Sequence, residues 1–337
     1  MSWPLRNWEG QVRKVEEIKR IATRESYGKG LLELADQFPD MVVLDADLTG
    51  ATKTNLFRKA HPERHINCGI AESNMMGVAA GLAAEGLIPV VSSFAMFAAG
   101  RAYEQARNSV GYPHLNVKIA ATHGGISVGE DGASHQCNED IALMRTIPGM
   151  VVINPADDVE ARAALRAAFE YEGPVYLRFG RMAVPVFNDE DYSFEMGKGV
   201  CLRKGRDVTL VATGLCVWEA LRAADLLMEQ GIDAEVINIH TIKPIDAELI
   251  CKSAKKTGRV VAVEEHSIIG GLGDAVASAL CEGCPAPLLK IGIPDVYGQT
   301  GSANELLSFF GLTGAGVAER VCGWLKKAPE NTGNTNF

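Results

Sequence analysis

The feature that most constrains this chain is an alternation. Short apolar, often β-branched runs at 41–48, 88–94, 116–122, 150–155 and 174–179 are separated by helix-spaced segments such as 24–38, 100–110 and 157–173. Continuous apolar runs of this length suit strands buried on both faces, and the intervening helices supply the crossovers that parallel strands need. An α/β fold with a covered parallel sheet is the expectation. The rhythm breaks at 182–199, which is rich in prolines and charges and reads as a linker. It resumes with strands at 207–214, 233–239 and 259–266, helices at 216–231 and 246–258, and a Gly-rich turn at 270–280 that starts another helix. Two parallel-sheet α/β domains are therefore expected, 20–185 and a smaller one at 195–328, and 337 residues suffice for two cores. The end, 329–337, reads as a disordered tail.

Bulk properties narrow the partners. The formal net charge of -9 offers no polyanion-binding surface, so no nucleic acid is expected. Neither a signal-peptide pattern nor an apolar run near the roughly 20 residues of a membrane span occurs, which reads as a cytoplasmic protein with no membrane partner. The eight cysteines are scattered through mostly apolar segments, as reduced core thiols are. Cys281 and Cys284 have the spacing of half a zinc site, yet no second pair or nearby histidine accompanies them, and a helix end with two thiols is the simpler reading.

Several polar residues stand where a buried core would not need them. Glu72 heads the stretch 68–86, CGIAESNMMGVAAGLAAEG, otherwise almost wholly small or apolar. Either the helix dipole favours a carboxylate in the first turn, or a carboxyl among Ile70, Ala71, Met75 and Met76 shares a proton with a ring nitrogen. Phe94 and Phe97 end a strand, where core packing is the ordinary explanation and walling a flat heterocycle the functional one. The loop 122–140, THGGISVGEDGASHQCNED, is too polar to be core and carries His123, Asp131 and His135. Its histidines lack metal-ligand spacing, while paired histidines beside an aspartate suit hydrogen bonds to hydroxyls and proton transfer near neutral pH. Arg24 and Arg181 either hold an anionic group or are solvated charges.

The segments DADLT, GIAESNM, SFAMF, THGGISVGEDGASHQ, RTIPGMVVINPAD and YLRFGR, in this order, make the chain resemble the pyrimidine-binding domain of transketolases followed by their C-terminal domain. The resemblance implies thiamine diphosphate chemistry. Glu72 matches the glutamate that hydrogen-bonds the aminopyrimidine and promotes formation of the reactive ylid, which passes a two-carbon unit from a ketose to an aldose. Phe97, with Phe94 beside it, matches the pyrimidine pocket, and Asp47 an aspartate near the cofactor. His123, Asp131 and His135 match residues that bind sugar hydroxyls or assist proton transfer. Arg24 and Arg181 match those that hold a substrate phosphate.

The chain departs from the pattern in three places. Gly100 stands where some members have a third pocket aromatic, a role Tyr103 would have to fill, and Ala51 where some have a phosphate-contacting serine. The Gly-Asp-Gly motif, followed further on by Asn, that binds magnesium and diphosphate is absent; Gly273-Asp274 is followed by Ala. The implied protein is the C-terminal subunit of a split transketolase. It carries no metal ligands of its own and takes Mg2+ from a separate N-terminal subunit, with a homodimer core inside a heterotetramer. The beta subunit of a 2-oxo acid dehydrogenase is the runner-up, disfavoured by His123, His135 and the two arginines. A 1-deoxyxylulose-5-phosphate synthase-like enzyme shares the loop but normally occurs as one long chain. A decayed, non-enzymatic paralogue would not be expected to keep Glu72, Phe97 and both histidines.

Overall fold

The computed structural model describes residues 18–327 together with the short strands Pro4–Arg6 and Val12–Lys14. The expected tail at 329–337 lies outside the described residues. The strands that build the sheets are β1 (Met41–Asp45), β2 (His65–Asn67), β3 (Ile88–Phe94), β4 (Lys118–Thr122), β5 (Val151–Ile153), β6 (Val175–Arg178), β7 (Val200–Arg203), β8 (Val208–Ala212), β9 (Ala234–Asn238), β10 (Thr241–Lys243), β11 (Val260–Ser267) and β12 (Leu288–Ile293). Among the described residues one sheet runs in the order β10-β5-β6-β4-β3-β1-β2 and a second in the order β7-β9-β8-β11-β12. All neighbours are parallel except the added edges, β10 on β5 and β7 on β9. β3 and β4 are buried almost throughout, which explains why their sequences are continuous apolar runs rather than alternating ones.

The principal crossover helices are α1 (Thr23–Leu34), α2 (Glu72–Ala84), α3 (Asp158–Glu170), α4 (Cys216–Glu229), α5 (Ala247–Thr257) and α6 (Leu272–Gly283). α3 starts where its sequence says it should: Asp157 accepts from the backbone N–H of Glu160, a side-chain N-cap. The segment 100–110, expected as one helix, is instead π-helical at Met96–Arg101 and Ala106–Gly111, with one short α-turn between. Cys281 lies in the last turn of α6 and Cys284 caps it, and all eight cysteines are free thiols. Among the described residues no helix is long and apolar enough to cross a membrane.

The two halves share structure. β10 belongs by sequence to the second half yet pairs with β5, and one apolar cluster holds Ile141, Met144 and Ile147 together with Ile239, Ile242 and Leu272. The stretch 182–199, read as a linker, is anchored. Ala183–Pro185 pairs antiparallel with Arg20–Ala22, and the backbone N–H groups of Phe187 and Asn188 donate to Asp157 at 2.9 and 2.8 Å. Glu160, fully buried, accepts from the Ala156 N–H and the Asn238 amide, each at 2.7 Å, and from the Tyr192 hydroxyl. Helix, strand and linker thus meet on one carboxyl group.

Burial pushes the Glu160 carboxyl up to about 7 despite these donors. A folded-state value above the unfolded one, about 4.5, means that the native state holds the proton more tightly. Its contribution to stability is then full below about pH 4.5 and is lost as pH rises towards 7. Glu160→Gln is expected to flatten that part of the curve. Urea unfolding of both proteins across this window checks it, and parallel curves would show that Glu160 is not the group that titrates.

Candidate active site

The expected site residues gather along one edge of the larger sheet. Asp47 lies just beyond β1, Glu72 heads α2 after β2, Phe94 ends β3, His123 directly follows β4, and Arg181 follows β6. Register brings those ends level: Asp45 faces Asn67 and Ser92, Phe94 faces Thr122, and Ala121 faces Arg178. The carboxyl edge of an open parallel sheet is where ligand crevices form, above all where strand order reverses, as it does on either side of β1.

At one end of this edge lies Glu72, 1% exposed against the fully buried Met75 and Met76. Its carboxylate is met by a cation that the sequence reading missed. Arg101 Nη1 donates to Glu72 Oε2 at 2.8 Å, and the guanidinium lies 4.5 Å over the centroid of Phe97. The available signal was spacing, since Arg101 follows Phe97 by four residues, close enough along a helix for a cation to reach a ring. Phe97 and Phe94 are stacked at 5.8 Å and 16°, Phe94 stacks on His123 at 3.8 Å, and His135 stands edge-on to Phe97 at 5.5 Å. One contact path therefore joins Glu72, through Arg101, to Phe97, Phe94, His123 and His135.

At the other end His123 adopts φ 59°, a left-handed conformation rare for a side-chain-bearing residue. Its Nδ1 lies 2.8 Å from the Thr122 hydroxyl and its Nε2 3.1 Å from Arg24 Nη1. A guanidinium only donates, so Nε2 is the acceptor and Nδ1 carries the proton. Burial, then Arg24, Arg181 and His135, lower its pKa to about 3. At neutral pH this holds the imidazole in its neutral form. Arg24 also donates to the Ala51 carbonyl at 3.1 Å, so the backbone makes a contact at the position where some transketolases have serine. Burial and the neighbouring Arg181 both lower the Arg24 pKa, as expected for two guanidiniums held near one another. Arg181 lies 3.6 Å from Glu130 and 3.7 Å from Asp131 and donates to the Val128 carbonyl. His135 Nδ1 is 3.0 Å from the Ser134 hydroxyl.

Close packing fixes the loop that carries these groups. A Cβ at Gly124 would stand 2.5 Å from Arg178 Nε, and one at Gly125, where φ is 78°, would strike the Glu265 carboxyl. Glu265 itself accepts from the Ser127 N–H, and Gln136 donates to the carbonyls of Gly129 and Gln299 at 3.1 and 2.7 Å. Both halves of the chain hold the loop.

Asp47 is not joined to this path by any of these contacts. It is exposed, at φ 61°, and its backbone and carboxylate bond the Asn67 side chain, each at 3.1 Å. Asp45, quoted within DADLT but not singled out, is the buried carboxylate here. It accepts from the Leu48 N–H and from Thr52 and Thr54 at 2.9 and 3.0 Å, shaping the turn whose Ala51 carbonyl holds Arg24. Tyr103 is engaged with Thr146 at 2.7 Å.

An aminopyrimidine presents a nitrogen-bearing edge and two flat faces. Glu72, shielded from water, and the stacked Phe94–Phe97 pair supply a carboxyl and an aromatic wall, so these residues fit the pyrimidine half of thiamine diphosphate.

The model for the transketolase pyrimidine binding domain matches residues 19–186, and that for the transketolase C-terminal domain matches 197–317. A Methanocaldococcus jannaschii protein, provisionally described as a transketolase C-terminal section, is 53% identical over 307 residues, covering 90% of this chain and 96% of that one. The 6-deoxy-6-sulfo-D-fructose transketolase subunit SqwH of a Clostridium species is 44% identical over 314 residues, 93% of this chain and 95% of that one. Among solved structures, a split-gene transketolase described as an inactive beta4 tetramer superposes with a TM-score of 0.84 at 52% identity, covering 91% of this chain and 99% of that one. The chain belongs to the transketolase family, as a C-terminal section comprising its pyrimidine-binding and C-terminal domains.

Proposed function

We propose that this chain is the C-terminal subunit of a split transketolase that moves a two-carbon ketol unit from a ketose phosphate to an aldose phosphate. The observation that carries the reading is Glu72, buried at the end of a stacked aromatic pair, with two arginines and two histidines along the same sheet edge. Transketolases depend on thiamine diphosphate, which supplies a carbanion equivalent and an electron sink when bound.

In this reading Glu72 binds the ring nitrogen of the pyrimidine and holds or releases a proton there. Phe94 and Phe97 orient the ring and keep water from its face. Neutral His123, its Nδ1 proton held toward Thr122, presents Nε2 to a sugar hydroxyl as an acceptor once Arg24 turns from it to the phosphate, and His135, edge-on to Phe97, takes the other side. Arg24 and Arg181 share the terminal phosphate, whose charge relieves their mutual repulsion. Asp131, near Arg181, binds a hydroxyl and limits that arginine's swing. Asp47 faces the cofactor side of the crevice. The Mg2+ and diphosphate ligands come from a separate N-terminal subunit, and two copies of this chain form the core of a heterotetramer in the cytoplasm.

Three outcomes test the reading in the complex reconstituted with the partner subunit. Glu72→Gln is expected to lower turnover by about 10²–10⁴-fold with the fold retained, because an amide does not exchange a proton as a carboxyl does. Loss of a mere first-turn carboxylate would instead cost about 0.5–2 kcal/mol of stability and spare activity. Proton exchange at the thiazolium carbon and melting temperature, measured on one sample, separate the two. Arg181→Ala is expected to raise KM for a phosphorylated aldose about 10- to 100-fold while leaving an unphosphorylated one nearly unchanged, as loss of one charge-assisted hydrogen bond does. Equal effects on both substrates would remove Arg181 from the phosphate site. Finally, the His123 ring resonances are expected to stay constant between about pH 5 and pH 8, where an ordinary histidine titrates. A midpoint in that range would make His123 a proton carrier.

A further inference from the structure

We propose that Arg101 is a built-in occupant of the pyrimidine subsite, which the ring of the cofactor must displace. The inference rests on the reading of Glu72 and Phe97 as pyrimidine contacts. A bound aminopyrimidine needs a carboxyl at its nitrogen edge and an aromatic ring against its face. The Arg101 guanidinium, itself planar and rich in N–H donors, makes both contacts already, 2.8 Å to Glu72 Oε2 and 4.5 Å over the Phe97 centroid. The guanidinium takes one carboxylate oxygen and one face of Phe97, and a ring seated on that same oxygen and face has to displace it.

Burial differs across the pair in the way a displaceable group requires. Glu72 is 1% exposed, whereas the Arg101 side chain is 50% exposed, so its outer side is already in water and leaving does not require opening the core. The backbone is held separately, because the Ser73 hydroxyl donates to the Arg101 carbonyl at 3.2 Å, and only the side chain has to swing. The residue closes the π-helical turn Met96–Arg101 directly after Gly100, an irregular turn of a kind found at functional sites. The contact also serves the chain without cofactor: it pairs a carboxylate that would otherwise be buried unpartnered beside Met75 and Met76. A subsite closed in part of the population binds its ligand more weakly by the open fraction.

The test uses the full chain and 4-amino-5-hydroxymethyl-2-methylpyrimidine, which carries the ring alone and asks nothing of a diphosphate site. Dissociation constants are measured by ligand-detected NMR for the wild type, Arg101→Met and Glu72→Gln. Arg101→Met is expected to bind the ring at least about fivefold more tightly than the wild type. It should also melt lower than the wild type, because buried Glu72 loses its cation. Should Arg101→Met not fold, Arg101→Gln, uncharged and shorter, replaces it with the same expectation. Equal or weaker binding in the folded Arg101 variant overturns the proposal and makes Arg101 a permanent support of Glu72. No detectable binding in any variant overturns it as well, since removing the occupant must open a site the ring fits. The underlying reading fails differently: Glu72→Gln binding the ring as the wild type does would remove Glu72 from the pyrimidine site, whatever Arg101 does.

Discussion

The ion pair between Arg178 and Asp140, whose side chains are 4% and 0% exposed, is the contact on which the arrangement of the site turns. Arg178 ends β6, and its fork donates to Asp140 at 2.8 Å, to the Cys137 carbonyl at 3.2 Å and to the Glu265 carbonyl at 3.0 Å. Tyr176 adds a further bond to Asp140 at 2.7 Å. One guanidinium thus joins the sheet, the end of the histidine loop and the second half of the chain. Burial alone would lower its pKa, but Asp140 and Glu265 leave it raised, so the charge persists. Removing one partner of such a pair leaves a charge in a poorly polarisable interior, at about 3–5 kcal/mol. The glycines after His123 follow from the same crowding, because they are pressed against Arg178 and Glu265.

With the loop fixed, burial acts on each titratable group according to its neighbours. His123 lies between guanidiniums and is driven neutral. Glu72, equally buried, has a guanidinium against it. Arg24 and Arg181 repel one another at the opposite end, where Glu130 and Asp131 lie 3.6 and 3.7 Å from Arg181. The crevice therefore carries a buried carboxyl group and an aromatic wall at one end and two arginines at the other. A ligand with a flat nitrogen-bearing ring and a separate anionic group matches that order.

The same economy joins the halves. Glu160 ties α3 to Asn238 at the end of β9 and to Tyr192 in the connecting stretch. Lys243 in β10 reaches the carbonyl of Arg145 at 2.9 Å and also that of Ile147. The side-chain bonds at these seams join residues far apart in sequence, which makes the seam specific as well as cohesive.

What the sequence determined by itself is what short-range pattern encodes. Apolar runs of strand length between helix-spaced segments specify parallel sheets, because both faces of such strands must be covered, and ordered motifs such as GEDGASHQ identify the family. The capping aspartate before α3 is legible for the same reason: its partner lies three residues on. The three-residue strands β2 and β10 are too short to show a period, and the π-turns after Phe94 break the one that was read there. Tertiary structure alone decided the pairings. Arg101 meets Glu72 across 29 positions, Arg24 meets His123 across 99, and Asn238 meets Glu160 across 78. Residue type at each position states what a side chain is able to do. Which charge stands against it, and so whether it is neutral, paired or displaceable, is set by distances that exist only once the chain has closed on itself.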